Sequence, residues 1–224
     1  MRGIFAGLVL ASGGLAAAPS AAQDTKHFSA EDVFELEYAD DPRISPDGRT
    51  VLFVRRSNNI MTDRTEGSIW MIPVSGGDPR LVVDGAGSAE WSPDGTRIAY
   101  TGKSDDGRSA IFIRWMDSGQ VQQVAGQANG AGSLAWSPDG RWVAFTANVD
   151  VDTKPFAKMP SKPEGAEWSE PVKVIDHAQF RRDGAGFTDP AFRHIFVVPA
   201  NGGTPRQLTE GNFAHDGPLS WSSD

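Results

Sequence analysis

One short phrase recurs along this chain, and the recurrence restricts the fold more than any other feature. Ile44-Ser45-Pro46-Asp47-Gly48 is followed by Thr50-Val51-Leu52-Phe53-Val54, and Trp91-Ser92-Pro93-Asp94-Gly95 by Arg97-Ile98-Ala99-Tyr100-Thr101. Trp136-Ser137-Pro138-Asp139-Gly140 is followed by Trp142-Val143-Ala144-Phe145-Thr146, and Trp221-Ser222-Ser223-Asp224 begins a fourth copy. The motif serines are spaced 47, 45 and 85 residues apart. In each phrase proline presets φ for the second position of a type I turn, aspartate bonds its own backbone, and glycine accepts the positive φ that closes the reversal. Apolar runs on both sides make each phrase a hairpin turn.

A second class of turn falls between the phrases. Ile69–Val74 leads through Ser75-Gly76-Gly77-Asp78 into Arg80-Leu81-Val82-Val83, and His194–Val198 leads through Asn201-Gly202-Gly203-Thr204 into Arg206-Gln207-Leu208. The middle unit keeps the pattern more loosely, in Ile111–Trp115 and Ser118-Gly119. Each unit therefore holds two hairpins, or four short strands, in about 45 residues, the size of one β-propeller blade. The fold class is all-β, a β-propeller of four-stranded antiparallel blades. A short helix is expected near Ser29, where Ser29 and Asp32 can form a capping box.

The 85-residue spacing exceeds one blade by about 40 residues, which places an insertion at 148–193. The blades within 42–224 number about three and a bit. Closed propellers have about four to eight, so the chain reads as an incomplete portion of a larger ring.

The first 22 residues read as a signal peptide. Arg2 precedes an uncharged apolar run from Gly3 to Ala18, and Ser20-Ala21-Ala22 supplies small residues for cleavage before Gln23. Residues 23–41 are then an N-terminal segment carrying the short helix. The formal charge of -8 argues against nucleic acid, which needs clustered Lys and Arg; the densest basic pair, Arg181-Arg182, is followed by Asp183. Without cysteine there is neither a disulfide framework nor a cysteine-borne lipid. The expectation is an exported protein without a membrane anchor, periplasmic or secreted.

Ser29-Ala30-Glu31-Asp32-Val33 with Asp41-Pro42-Arg43-Ile44-Ser45-Pro46-Asp47-Gly48 resembles the start of the propeller in prolyl oligopeptidase-family serine peptidases. The similar branch contains acylaminoacyl-peptidases and dipeptidyl aminopeptidases. The stretch from Val174-Ile175-Asp176-His177 through Phe180-Arg181-Arg182-Asp183-Gly184 to His194-Ile195-Phe196-Val197-Val198 resembles a segment of the same proteins. The Ser-Pro-Asp-Gly repeats themselves are shared with TolB-like propellers. The resemblance implies a seven-bladed propeller capping an α/β-hydrolase domain, with short peptides reaching a Ser-Asp-His triad between the two and large folded proteins kept out. None of that catalytic machinery is written here. A nucleophile elbow needs Gly-x-Ser-x-Gly; the nearest approach, Gly102-Lys103-Ser104-Asp105-Asp106, lacks the last glycine.

Other candidates are weaker. His27, His177, His194 and His215 show no metal-ligand spacing, so they read as structural or surface groups. Asp150-Val151-Asp152 begins like a calcium loop, but Lys154 occupies a ligand position. Neither a metal nor a cofactor is called for. The repeating Trp91, Trp136 and Trp221 read as packing anchors, and Asp47, Asp94 and Asp139 as turn formers. The insertion supplies the candidates for substrate contact: Arg181, with Arg182 beside it, for a peptide carboxylate, and Glu164 or Glu167 for an amino terminus. The rival function is a non-enzymatic TolB-like propeller that binds other proteins. TolB-like proteins carry an α/β domain ahead of their blades, and only about 20 residues lie between Gln23 and the first turn, too few for a domain. A propeller lyase or glycosidase comes third, since no ligand cluster supports it.

Overall fold

The structure, a computed structural model, describes residues 27–126, 128–151, 160–169, 175, 178, 180–183, 186–188 and 190–223. The signal-peptide reading, Val174, Asp176, His177, Gly184, Asp152 and Lys154 lie outside these residues. Three four-stranded antiparallel sheets follow one another along the chain. The first holds β1 (Glu37–Ile44), β2 (Thr50–Asn59), β3 (Arg64–Pro73) and β4 (Arg80–Val83), and the second holds β5 (Ser88–Trp91), β6 (Arg97–Lys103), β7 (Ser109–Trp115) and β8 (Val121–Ala125). The third begins with β9 (Gly132–Trp136) and β10 (Trp142–Asp150). It continues, after a two-stranded excursion of β11 (Arg181–Arg182) and β12 (Gly186–Phe187), with β13 (Ala191–Pro199) and β14 (Arg206–Gln207). In every sheet the strands lie in chain order, as two successive hairpins require.

The Ser-Pro-Asp-Gly phrases are the turns joining the first two strands of each sheet. Gly48, Gly95 and Gly140 take φ of 73°, 70° and 66°, where a side chain would be strained. The serine hydroxyl does two jobs: Ser137 Oγ donates to Asp139 Oδ1 at 2.6 Å and accepts the Trp142 N–H at 2.9 Å. Ser104-Asp105-Asp106-Gly107 builds the same turn between β6 and β7, with Ser104 Oγ donating to Asp106 Oδ1 at 2.5 Å and to the Arg108 carbonyl at 3.0 Å. The stretch nearest to a nucleophile elbow is thus a hairpin turn whose serine proton is already committed.

Serine donation, then the Arg49 and Arg141 N–H groups, hold the Asp47 and Asp139 carboxyls below the usual carboxylate range. A carboxyl lower in the folded than in the unfolded chain stabilises the fold above the unfolded value, and that contribution disappears as pH falls through the folded one. Asp139→Asn is therefore expected to lower the melting temperature at neutral pH, and the difference from the parent should shrink on acidification below the carboxylate range. A constant difference across that titration would show the turn aspartates to be neutral in effect.

The sheets stack face to face. Leu52 and Ile69 of the first meet Ala89, Trp91, Ile98 and Tyr100 of the second; Ala99, Ile111 and Ile113 of the second meet Trp136, Val143, Phe145 and Val198 of the third. The middle sheet buries both faces, so β6 reads as a nearly continuous apolar run, Ile98-Ala99-Tyr100, each residue at 5% exposure or less. Where the first sheet meets the connection to the second, space is short: a Cβ on Gly67 would lie 2.7 Å from the Ala86 carbonyl oxygen. Gly67→Ala is expected to cost about 1–3 kcal/mol by forcing that backbone apart, measurable as a lowered urea midpoint; an unchanged midpoint would mean the connection yields freely.

The expected helix is a 3-10 turn, Glu31–Glu35, whose N-cap Ala30 makes no side-chain bond. Only half of the capping box forms, the Ser29 N–H donating to Asp32 Oδ2 at 2.7 Å, because Ser29 lies one residue ahead of the cap. The segment read as an insertion joins β10 to β13, whose pairing runs without a break from Trp142↔Pro199 to Asp150↔Ala191. Asp150, the first residue of the rejected calcium loop, is thus a ladder residue. No helix among the described residues is long and apolar enough to cross a membrane.

Candidate functional site

The first strands of successive sheets, β1, β5 and β9, lie side by side, and a repeated bond sets their spacing. Trp91 Nε1 donates to the Arg43 carbonyl at 3.2 Å, Trp136 Nε1 to the Glu90 carbonyl at 3.1 Å, and Trp221 Nε1 to the Ala135 carbonyl at 3.2 Å. Each indole opens one motif, and each acceptor immediately precedes the opening residue of the motif before. The tryptophans are therefore packing anchors, with Trp91 and Trp136 buried, and also rivets between neighbouring sheets. Arg97 adds a clamp: its guanidinium stacks 4.9 Å from the Trp136 ring and donates to the Gly140 carbonyl at 3.1 Å.

Along these strands runs a cleft of about 620 Å³, walled by β1, β5, β9 and the segment Pro218–Trp221. Its chemistry centres on Arg43. The guanidinium Nε donates to Glu90 Oε2 at 2.6 Å, and a terminal nitrogen lies 2.6 Å from Asp41 Oδ1. Burial pushes the Glu90 carboxyl above its usual range; the bond and charge of Arg43 oppose this, and the Asp41 charge adds to it. With both carboxylates ionised the trio carries one net negative charge. Serines complete the polar lining, among them Ser88 and Ser133.

Backbone strain collects on the same walls. Asp41 takes φ of 50° and Ser133 of 47°, among only three positive-φ non-glycine residues described. Each sits at an irregularity of its ladder, between Asp40 and Arg43 in β1, and in β9 opposite the Ala144–Thr146 step of β10. Bulges re-aim side chains, and left-handed backbone outside glycine costs of order 1–3 kcal/mol where it is kept. A polar, concave, strained region of this kind can hold an extended chain by hydrogen bonds and discriminate by charge. No histidine is among its lining residues, and Ser92, which lines it, donates its proton to the turn carboxylate of Asp94 at 2.6 Å.

The residues that sequence reasoning put forward lie elsewhere. Arg181 and Arg182 are exposed on β11, paired with Phe187 and Gly186 of β12, and Phe180 stacks on Phe187 at 6.2 Å. Glu164 and Glu167 are exposed in the segment 160–169. None of the four lines the cleft. Arg43, Asp41 and Glu90 were missed, although a signal existed: Arg43 and Glu90 occupy the same place in the repeat, one residue before Ile44 and Trp91, with opposite charges.

Against known proteins the chain is similar to the uncharacterized peptidase YuxL of Bacillus subtilis, 24% identical over 205 residues that make up 86% of this chain and 29% of the relative. A shorter stretch of 38 residues, 17% of the chain, is 50% identical to the Tol-Pal system protein TolB of Sodalis glossinidius, of which it covers 9%. Among solved structures the chain resembles an acylaminoacyl peptidase complexed with Z-Gly-Gly-Phe-chloromethyl ketone, with a TM-score of 0.53 at 19% identity, over 75% of this chain and 24% of the other. That likeness gives the fold, propeller-like stacked sheets. No protein-family model matches. The chain thus spans less than a third of the length of these peptidases.

Proposed function

We propose that the chain is the propeller portion of a serine peptidase acting on short peptides, in which the cleft along β1, β5 and β9 admits and orients an extended peptide for a separate α/β-hydrolase domain. The observation that carries this reading is the likeness to a peptidase over most of the chain, joined to a cleft that offers hydrogen bonds and charge. Arg181, Arg182, Glu164 and Glu167 on the β10–β13 connection belong to the same proposal as outer contacts for peptide termini. Gating follows from size, since a cleft of about 620 Å³ takes an extended segment and not a folded domain. Export belongs to it too: a signal peptide at 1–22 delivers the protein beyond the inner membrane, and mass spectrometry of the processed protein is expected to find a start at Gln23.

The test is the gene beyond codon 224. Expected are further Ser-Pro-Asp-Gly repeats and then Gly-x-Ser-x-Gly followed by Asp and His, in a product that hydrolyses short aminoacyl-peptide amides and is inactivated by a peptidyl chloromethyl ketone. A stop codon soon after a few more repeats would overturn the peptidase reading. It would favour the second one, a TolB-like propeller that binds proteins, for which the 50% identity over 38 residues speaks.

A further inference from the structure

The connection leaving each sheet is tied down in the same way, by one N–H to the start of the third strand. Ala86 donates to the Gly67 carbonyl at 2.9 Å, Ala128 to Ser109 at 2.9 Å, and His215 to Arg193 at 2.8 Å. In the first two connections the tied residue is a buried alanine. In the third it is a histidine, and its neighbour on β13 changes in step: His194 stands where the second sheet has the buried Ala110. A pair of imidazoles stands where the second sheet has a pair of methyl groups, Ala110 and Ala128, and the first has Ser68 and Ala86.

His194 is 3% exposed. Its ring lies 5.5 Å from that of His215, which Phe213 covers at 4.7 Å. Thr209 Oγ1 accepts the Ile195 N–H at 3.0 Å and lies within hydrogen-bond distance of His194 Nδ1, at 3.3 Å. His215 Nε2 is buried without a partner among the described residues. The charged residues next to the pair in sequence are Arg193, before His194 on β13, and Asp216, after His215 on the connection, bound to each other at 3.4 Å. Among the described residues, the β8–β9 connection brings the Gly130 carbonyl, which accepts from Arg193 at 3.0 Å, and β10 brings Asn148 against Gly130. Neither titrates. Placing a proton on either ring buries a charge beside a second ring and an arginine, with one exposed and already paired carboxylate to offset it.

The same connection runs on to Pro218–Trp221, the fourth wall of the cleft. We propose that His194 and His215 form a proton-operated latch: neutral, they hold the connection against the third sheet and close the cleft; charged, they release it. This rests on the cleft being the working site, but its test reads the connection itself and is independent of any peptidase activity.

The measurement is hydrogen-exchange protection, corrected for intrinsic rate, at the His215 amide and the Trp221 indole N–H between about pH 7.5 and about pH 5.5, where imidazoles change charge. Protection at both is expected to fall by about tenfold or more, while the Ala128 amide, tied identically without a histidine, keeps its protection. His215→Ala installs the residue found in the other two connections and should fold, keep the tie and lose part of the pH response; His194→Ala, imitating Ala110, should do the same, and the double variant should lose the response altogether. Protection that does not change with pH in the parent, or that falls as far in the double variant as in the parent, would overturn the latch.

Discussion

Trp136→Ala is expected to destabilise the protein by about 3–5 kcal/mol, the range for removing a large buried aromatic. Three losses coincide at this position. The ring is buried between the second and third sheets at 7% exposure, its N–H is the bond to the Glu90 carbonyl, and its face carries the Arg97 guanidinium. Trp136→Phe separates them. It keeps most of the packing and a π face but leaves the Glu90 carbonyl without its donor, for an expected cost of about 1–2 kcal/mol. Urea denaturation of the parent and both variants gives the two numbers. If the phenylalanine variant matched the parent, the indole bond would contribute nothing, and sheet spacing would be set by packing alone.

That experiment bears on what could be read without coordinates. The turns were legible because they are local: serine, proline, aspartate and glycine dictate φ and hydrogen bonds within five residues, and the sheets follow from the apolar runs between them. The turn at Ser104–Gly107 is of the same kind but carries a weaker signature, because Asp105 stands where the others have proline, and proline's preset φ is a convenience rather than a requirement. The rivets were half legible. Recurrence marked Trp91 and Trp136 as anchors, but the acceptors lie 48 and 46 residues back, and a bond across two stacked sheets leaves no local trace. The cleft leaves a single trace, the opposite charges of Arg43 and Glu90 at the same place in the repeat, and the two meet only because consecutive sheets superimpose equivalent positions. The long β10–β13 connection offers exposed charge in plenty, but the described candidates, Arg181, Arg182, Glu164 and Glu167, lie off the cleft.

Arg43→Met tests whether the cleft trio works as argued. The substitution keeps an apolar stem of similar length and removes the only cation described among the trio, leaving Glu90, with a side chain 30% exposed, facing Asp41 alone. The expected cost at neutral pH is about 1–3 kcal/mol, that of stranding a partly buried polar group. The pH dependence carries the stronger claim. The Glu90 carboxyl already lies above its usual range because burial outweighs Arg43, and without the arginine it must rise further. A carboxyl higher in the folded than in the unfolded chain binds its proton more readily when folded, so the fold gains stability as pH falls through the folded value. The variant should therefore recover on mild acidification, while the Ser-x-Asp-Gly aspartates, displaced in the other direction, lose their contribution only at lower pH. Adding Glu90→Gln should remove the recovery and most of the neutral-pH cost together, because an uncharged amide tolerates the half-buried site without a cation. A loss in Arg43→Met that is the same at every pH, or that persists with Glu90→Gln, would assign Arg43 a packing role, and the charge of the cleft would then have no part in orienting a peptide.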